Sequence, residues 1–459
     1  MDQTIRPSAT PSTRREFIAR GLCGAAGLAL ANGLVTRALG DDSLVIGPAR
    51  AAIPAVKAKA KSVIQVWLWG GPCHLDTFDP KPDAGRDYCG PYAKPIATNV
   101  NGIQISQMLP LLAKLADKYA LLRGMTHGNN GHETAAYLVQ AGRKPGGDLV
   151  YPGIGAIVTY FKGTGAAYKG MLPPYMTLTT PQGRFSEAGF LSAKYKPFST
   201  GGDPSKDPFV VEGIVAENIT PERQKDRRAL LGEMDTFGRA MGDNALVRSV
   251  DSSQQQAYEM ILGDAGKAFV LTEEKDEVRD RYGRTKFGQS CLLARRLVAL
   301  GVPFITINHQ GWDTHKQHFE AMSRKLPELD KGLSALLQEL SDRGLLSSTI
   351  VWVSGEFGRT PRVQWEAPWN GGRGHYGKVF SALVAGGGFK GGRVVGSSDA
   401  KGEEVKERPV YPCDLIASLY ELLGIDPDAK LPHPLGQEAR VMPAAAEGVK
   451  TGGRLKEIM

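Results

Sequence analysis

Short apolar runs rich in β-branched residues alternate along the chain with stretches of helical spacing. The apolar runs cover residues 63–71, 119–125, 302–308, 348–358 and 380–388. Such runs predict buried strands. Helical spacing covers residues 106–118, 132–143, 286–301, 318–344 and 410–425. Strands that alternate with helices predict an α/β fold whose mostly parallel sheet is covered on both faces.

The pattern also divides the chain into segments. Residues 41–61 have the composition of a linker, and the main domain is expected over residues 62–430. Within it, residues 180–250 are polar and rich in Gly, Pro and Lys, and we interpret them as an insertion or cap. Residues 431–459 are expected to form a C-terminal tail.

Residues 1–40 resemble a twin-arginine signal peptide. Arg14 and Arg15 precede Phe17, a mild apolar stretch follows over residues 21–35, and small residues end the segment. This leader predicts the twin-arginine translocase as a partner and a periplasmic or secreted location. An N-terminal amphipathic helix is the alternative. No other apolar run approaches the ~18 residues of a membrane span, so no stable span is expected.

Charge and cysteine content exclude several classes of protein. The net charge is +8, part of it in the leader, and no run of five like charges occurs. This is not the basic footprint of a nucleic-acid-binding protein. The five cysteines form no CxxC pair, which argues against a zinc finger or a disulfide scaffold. Cys73 and Cys89 could form a bridge or remain buried thiols.

Polar motifs follow four of the predicted strands: GGPCHLDTFD, THGNNGHE, NHQGWDTH and GEFGRTP. Ligands of open α/β sheets gather at the carboxyl ends of the strands. The candidate side chains are His74, Asp76, His127, His132, Asp313, His315 and Glu356, with His375 in a later loop. Oxygen and imidazole donors without cysteine suit a divalent metal such as Zn²⁺, Mn²⁺, Fe, Mg²⁺ or Ca²⁺.

Such a site could perform hydrolysis. Two divalent ions about 4 Å apart clamp a phosphoryl or sulfuryl group and activate a nucleophile. Arg359 and Arg362, or Arg143, could hold the anion through bidentate hydrogen bonds. Each residue also has a structural explanation: a loop histidine can be a surface residue, and Asp76 or Glu356 can cap a turn or helix.

The order of these motifs resembles that of the bacterial proteins grouped as domain of unknown function 1501. The matching segments are GGPCHLDTFDPKPD, HGNNGHETA, GWDTHKQHF, GEFGRTPRV and GRGHY, after a twin-arginine leader. The resemblance covers roughly residues 60–430. It implies the doubly wound, three-layer sandwich of the alkaline phosphatase and sulfatase superfamily, with metal ions at the strand ends.

The resemblance also implies roles for particular residues. Asp76, Asp313, His315, Glu356 and His375 would be metal ligands. His132 or Thr134 would lie where the superfamily has its nucleophile, at a helix N-terminus that favours an anion. Independently of the resemblance, Arg359 is the third candidate catalytic residue because it could hold the anion. Phe357 departs from the pattern because a histidine ligand is expected there. The Cys/Ser-x-Pro-x-Arg signature is missing, which argues against a formylglycine sulfatase.

Three hypotheses follow. The first is an exported, metal-dependent hydrolase of phosphate or sulfate esters, acting on a small anionic ester or on a sulfated or phosphorylated glycan. The alternative is a noncatalytic protein of the cell envelope that binds a metal or an anionic glycan. The third is a structural envelope protein whose loops are polar for solubility alone.

Overall fold

The computed structural model describes residues 58–146, 149–163, 168–181, 183, 187–211, 222–223, 226, 264–443 and 447–459. The leader, nearly all of the predicted linker and much of the predicted insertion lie outside the described residues. The predictions for those segments therefore stay predictions.

A central sheet of eight strands organises the described chain. The strands are β1 Ser62–Leu68, β2 Tyr119–Met125, β3 Tyr175–Leu178, β4 Phe198–Ser199, β5 Phe304–His309, β6 Thr349–Ser354, β7 Phe380–Ala385 and β8 Arg393–Val395. Their order across the sheet is β8-β2-β7-β6-β1-β5-β3-β4. β1 lies near the middle and is buried along its whole length.

The sheet is mostly parallel, as the sequence predicts. β1 pairs in parallel with both β5 and β6, so that Val63 lies opposite Phe304 on one side and Ile350 on the other. Of the eight strands only β7 runs against its neighbours, β2 and β6. A strand that is buried on both faces has a nearly continuous run of apolar residues. This explains why β1 has the sequence SVIQVWL and does not alternate between apolar and polar residues.

Helices cover both faces of the sheet. The longer helices are α1 His132–Ala141, α2 Ile154–Lys162, α3 Asp276–Tyr282, α4 Lys286–Ala299, α5 His318–Asp342 and α6 Pro412–Leu423. One-turn helices occur at Arg86–Cys89 and Pro110–Ala113, and four small two-stranded ribbons pair Ile96–Ala97 with Gln104–Ile105, Gly358–Arg359 with His375–Tyr376, Ser397–Ser398 with Val405–Glu407, and Lys430–Leu431 with Ala439–Arg440.

Alternate side chains of β1 enter two separate cores. Ile64, Val66 and Leu68 pack in the core that contains residues of α4 and α5. Val63 and Trp67 pack in the core that contains residues of α1, α2 and α6. Successive side chains of a strand point to opposite faces of its sheet. The two cores therefore lie on the two faces, and the predicted three-layer sandwich is confirmed.

Some elements differ from those predicted. The helical spacing of residues 106–118 yields only the turn Pro110–Ala113 and a 3₁₀ turn, because the Asn99 N–H bonds to the Ala113 carbonyl and takes the place of a helical donor. β3, β4, β8, α2 and α3 were not predicted. β4 falls inside the range interpreted as an insertion and extends the sheet at its edge.

The C-terminal segment packs on the domain. Leu455 and Ile458 are buried in the same core as α6. The Asp414 carboxylate, near the start of α6, accepts hydrogen bonds from the backbone N–H groups of Gly452 and Gly453. Among the described residues, no helix has the length and apolar character to cross a membrane.

We predict that Leu455→Ala lowers the free energy of unfolding by about 2–4 kcal/mol, because it removes a fully buried side chain and leaves a cavity. Chemical denaturation measures the change. Leu435→Ala is the matched control: Leu435 is 59 % exposed, and its loss should change stability by less than about 0.5 kcal/mol. Equal effects of the two substitutions would contradict the packing of the C-terminal segment.

Candidate metal centre

Loops from the carboxyl edge of the sheet bring titratable side chains together. His132 is the first residue of α1, after β2, and Asp313 follows β5. Arg359 lies after β6, in the ribbon Gly358–Arg359, where it pairs with His375 of the opposite strand. The ribbon carries His375 back to the sheet edge, although this residue is far from β6 in the sequence.

Three of these side chains form a candidate metal site, which we call the metal cluster: His132, Asp313 and His375. Their ligand atoms all lie within 4.8 Å of one another. The Asp313 carboxylate is at the centre, with Oδ2 3.3 Å from His132 Nε2 and Oδ1 3.0 Å from His375 Nε2. One carboxylate and two imidazoles are common ligands of Zn²⁺ and of related divalent ions.

His315 lies next to the metal cluster. Its Nε2 is 3.1 Å from Asp313 Oδ1 and 2.9 Å from His375 Nε2. His375 Nε2 is 3.0 Å from Asp313 Oδ1. The two Nε2 atoms and Asp313 Oδ1 therefore form a nearly equilateral triangle. Ligands held 2.0–2.2 Å from a tetrahedral ion are separated by about 3.3 Å. The triangle therefore needs little expansion to hold a cation.

Hydrogen bonds at the Nδ1 atoms of His375 and His132 leave their Nε2 atoms free to bind a cation. His375 Nδ1 is 2.8 Å from the Asn130 carbonyl oxygen, which can only accept. His132 Nδ1 is 2.6 Å from Glu356 Oε1. Each Nδ1 therefore carries the proton in the neutral ring, and each Nε2 presents a lone pair to the metal cluster. This arrangement is typical of metal-binding histidines.

Charge affects the cation-binding forms of the cluster in opposite ways: it favours the binding forms of Asp313 and His315 but makes His132 hold a proton more strongly. The hydrogen bond that His132 donates to the Glu356 carboxylate raises the pKa of His132 above its ordinary value, against burial and with help from Asp313. Burial favours a neutral Asp313, but the charge and hydrogen bond of Arg359 outweigh it and lower the pKa of that carboxyl group. Burial, and then the charge of Arg359, lowers the pKa of His315. At neutral pH Asp313 is thus ionised and His315 is neutral.

Glu356 lies behind His132 and supports it. The carboxylate is fully buried and accepts the Gly70 N–H at 3.0 and 3.2 Å from its two oxygens. Gly70 has φ of +106°, and a Cβ there would lie 2.1 Å from the Asp313 backbone nitrogen. Only glycine permits this close approach. The sequence predicts Glu356 as a ligand, whereas its contacts are those of a residue that orients a ligand.

Arg359 is also occupied by the protein. Its guanidinium is fully buried and donates to Asp313 Oδ1 at 2.7 Å, to the Gly70 carbonyl at 3.1 Å and to the Arg373 carbonyl at 2.7 Å. The sequence predicts that Arg359 contacts a substrate anion, whereas in the structure its guanidinium donates to groups of the protein. Arg359 instead fixes the rotamer of Asp313 and joins the loops after β5 and β6.

Asp76 belongs to a different, fully buried network. Its Oδ2 lies 3.0 Å from Arg373 Nε and 2.8 Å from His318 Nε2, and its Oδ1 accepts from Arg373 Nη2 at 3.1 Å. His318 Nδ1 in turn lies 2.5 Å from the Thr314 hydroxyl. Asp76 thus contacts Arg373, which is two residues from His375, and it reaches Thr314, next to Asp313, through His318. Asp76 is not one of the residues of the metal cluster.

Aromatic rings pack the histidines from the sides. Phe357 stacks on His375, with centroids 4.6 Å apart and an interplanar angle of 27°. Trp69 stacks on His132 at 5.8 Å and 16°. The family resemblance implies a histidine ligand at position 357. The phenylalanine found there instead restricts the orientation of the His375 ring.

The remaining predicted residues lie around this centre or away from it. Thr134 is half-buried in the first turn of α1, and Arg362 is exposed. Arg143 lies beyond the far end of α1, where it forms an ion pair with Glu447. His127 is hydrogen-bonded through both nitrogens, to the Glu356 carbonyl and the Asn129 N–H, and burial lowers its pKa to about 4.

Sequence reasoning missed the residues that hold the site together. Arg373 and Gly70 both lie in quoted motifs, but neither has a ligand atom that marks it as part of a metal centre. The Gly-Gly pair after β1 was the available signal for a close backbone approach. Nothing in the sequence indicates that the Asn130 carbonyl orients His375.

The fold is an α/β sandwich that brings histidine and carboxylate side chains together, as a candidate metal site, at the carboxyl edge of its sheet. The chain belongs to the family described as Protein of unknown function (DUF1501), which it matches over residues 60–450. This confirms the family expected from the motifs. No curated protein matches the chain.

Several solved structures are similar at low identity. Ps i-CgsB in complex with k-i-k-neocarrahexaose is 12% identical, with 85% of this chain and 74% of that one covered and a TM-score of 0.38. For the lipoteichoic acid synthase LtaP from Listeria monocytogenes the values are 11%, 85%, 76% and 0.35. For a protein in the alkaline phosphatase superfamily from Vibrio parahaemolyticus they are 10%, 81%, 68% and 0.35.

We predict that the full chain binds Zn²⁺ and that His375→Ala lowers its affinity at least about 100-fold, because a ligand and its support are both lost. Titration against a competing chelator dye measures the affinity. His433→Ala replaces a histidine outside the metal cluster and should leave zinc affinity unchanged. Equal zinc affinity in all three proteins would contradict the assignment of the site.

Zinc affinity should fall as the pH is lowered from about 8 to about 5.5. Protons compete with the cation for His132, and they do so at higher pH than at an ordinary histidine of pKa about 6.5 because Glu356 raises this pKa. Glu356→Gln removes that charge, so the loss of affinity should begin at lower pH. An unchanged pH profile in this variant would contradict the role of Glu356.

Asp76→Ala should lower the free energy of unfolding by about 3–5 kcal/mol, because Arg373 is left as a buried charge without its partner. The exposed Asp83 provides the control, since Asp83→Ala should change stability by less than about 0.5 kcal/mol. Chemical denaturation of the metal-free proteins separates this effect from metal binding. A loss below about 1 kcal/mol for Asp76→Ala would show that the buried pair is not needed.

Proposed function

We propose that the protein is a metal-dependent hydrolase of phosphate or sulfate esters. The observation that carries the proposal is the convergence of Asp313 with the Nε2 atoms of His132, His315 and His375. Two of these rings have their outer nitrogens already hydrogen-bonded to acceptors. A solvated polar cluster on a loop would not require such support.

The donor set fits a divalent metal. His132, Asp313 and His375 would hold it, with His315 as a fourth ligand. Imidazole-rich sites suit Zn²⁺ or Mn²⁺ better than Mg²⁺ or Ca²⁺, which prefer oxygen ligands. When bound, a divalent ion supplies a Lewis acid for an ester oxygen and lowers the pKa of water. The site has two carboxylates, Asp313 and Glu356, and one guanidinium, Arg359. This excess of negative charge favours a bound cation.

The protein supplies the remaining conditions for hydrolysis of an anionic ester. α1 begins at His132, and its first N–H groups and the positive end of its dipole favour negative charge at this position. Thr134 in the same turn offers a hydroxyl group near that end. The Glu356 carboxylate holds the proton on His132 Nδ1, so this ring cannot turn its protonated nitrogen toward the substrate.

The proposal includes export. Support comes from the paired Arg14 and Arg15 and the apolar stretch that follows them. The twin-arginine translocase carries folded proteins, and this agrees with a domain whose metal ligands come from segments far apart in the chain. A small anionic ester, or a sulfated or phosphorylated glycan outside the cytoplasm, is the proposed substrate class.

We predict turnover of 4-nitrophenyl phosphate or 4-nitrophenyl sulfate by the zinc- or manganese-loaded protein. Asp313→Asn should reduce kcat/KM at least about 100-fold, because the cluster loses its only carboxylate ligand. Release of 4-nitrophenol gives the rate, and metal content is measured on the same samples.

His433→Ala serves as the control and should keep kcat/KM within about twofold of the unmodified protein. Metal binding without turnover of either ester, for zinc, manganese, magnesium and calcium alike, would reject the hydrolase. The alternative of a noncatalytic metal-binding protein would then take its place.

A further inference from the structure

A cavity opens at the carboxyl ends of β3 and β5, on the sheet edge that carries the metal cluster. Its volume is about 160 Å³. The lining residues are Thr179, Thr180, Lys286, Phe287, Ser290, Ile307, Asn308, His309, Gln310, Lys325 and Glu328. Gln310 and Asp313 are three residues apart, so their Cα atoms are separated by at most about 11 Å. The cavity is therefore a neighbour of the proposed reaction site.

The size of the cavity suits one part of a larger ligand. Complete sites for small molecules usually enclose about 300–1,000 Å³. At about 30 Å³ per water molecule, this cavity corresponds to about five waters. That space accommodates a single ring with its substituents, while the rest of the ligand extends toward the metal cluster.

Charge in the cavity is positive. Lys325 and Glu328 balance each other: Lys325 Nζ is 3.9 Å from Glu328 Oε2, which is also 3.2 Å from His309 Nε2. Lys325 additionally donates to the Gln310 carbonyl at 2.7 Å. The Lys286 side chain, in contrast, has no hydrogen bond or ion pair to the part of the chain that the structure describes. Its ammonium group is the unbalanced charge of the cavity and favours an anionic group.

The wall also offers neutral groups for hydroxyls. Asn308 is only 9 % exposed, and its Nδ2 donates to the carbonyl oxygens of Thr180 and Pro181 at 3.0 and 3.2 Å. Its Oδ1 is buried and has no hydrogen-bond partner among the described residues. Buried polar atoms are nearly always paired. A small shift of the Asn308 side chain would let this unpaired acceptor receive the O–H group of a ligand in the cavity.

We propose that this cavity is a substrate subsite for a sugar or polyol unit that carries one sulfate or phosphate group. Lys286 binds the anionic group, and Asn308 Oδ1 accepts a hydroxyl of the same unit. The ester to be cleaved lies on an adjoining unit at the metal cluster. The inference rests on the proposed function and narrows its substrate to a glycan with more than one anionic group, in preference to a simple ester.

The test is calorimetric titration of the full chain with glucose 6-sulfate, glucose 6-phosphate and glucose. Asp313→Asn serves as the background, because it removes the cluster's carboxylate and leaves the cavity intact. In this background at least one charged sugar should bind about tenfold more tightly than glucose. Adding Lys286→Gln should abolish the difference. Lys331→Gln, the same substitution on a nearby exposed residue of α5, should leave it unchanged.

Equal binding of all three sugars, or an undiminished preference in Lys286→Gln, would overturn the subsite. The two sugar esters separate a sulfate-binding from a phosphate-binding subsite, and either preference supports the proposal. Thermal unfolding of each variant verifies that Lys286→Gln, an exposed substitution, retains the fold. Absence of ester turnover in the unmodified, metal-loaded protein would reject the proposed function and would leave this sugar-binding pattern unchanged. The failure of the proposed function and the failure of the subsite are therefore distinguishable.

Discussion

The buried contact between Asp76 and Arg373 is the constraint on which the geometry of the metal cluster depends. Asp76 comes from the loop after β1, and Arg373 from the loop that precedes His375. His318, on the same carboxylate, begins α5 and holds the Thr314 hydroxyl beside Asp313. One carboxylate thereby sets the relative positions of three loops that are distant in sequence. A buried charge of this kind is tolerated only when every partner is present.

A layered arrangement of charge follows from this contact. Asp76, Arg373, Glu356 and Arg359 are fully buried and form the inner layer, and the more accessible Asp313, His132 and His375 form the outer one. The inner layer fixes the outer one: Arg359 fixes Asp313, and Glu356 fixes His132. Side chains supported in this way are held in one geometry, which would reduce the entropy lost if a cation binds them.

The sequence predicted the sheet better than the inner layers of the site. Strands such as β2 could be located because burial on both faces gives a continuous apolar run, and α4 because its apolar positions are periodic. β4 has only two residues and no such signal. The structure brings Asp313 and His315 together with His375: the first two follow a parallel strand at the carboxyl edge of the sheet, and the ribbon Gly358–Arg359 with His375–Tyr376 adds the third. The division between residues that face the cluster and residues behind it, such as Glu356 and Asp76, depends on depth, which residue type and spacing do not encode.

The central place of β1 has a consequence for biosynthesis. β1 is the first strand of the sheet in the sequence, yet its two neighbours include Phe304 and Ile350. At ribosomal rates of ~5–20 residues per second, the backbone N–H and C=O groups along the edges of β1 wait roughly ten to fifty seconds for the first of these partners. During that interval the nascent polypeptide exposes the apolar segment SVIQVWL without a strand partner. The centre of the sheet can therefore form only after most of the polypeptide has been synthesised.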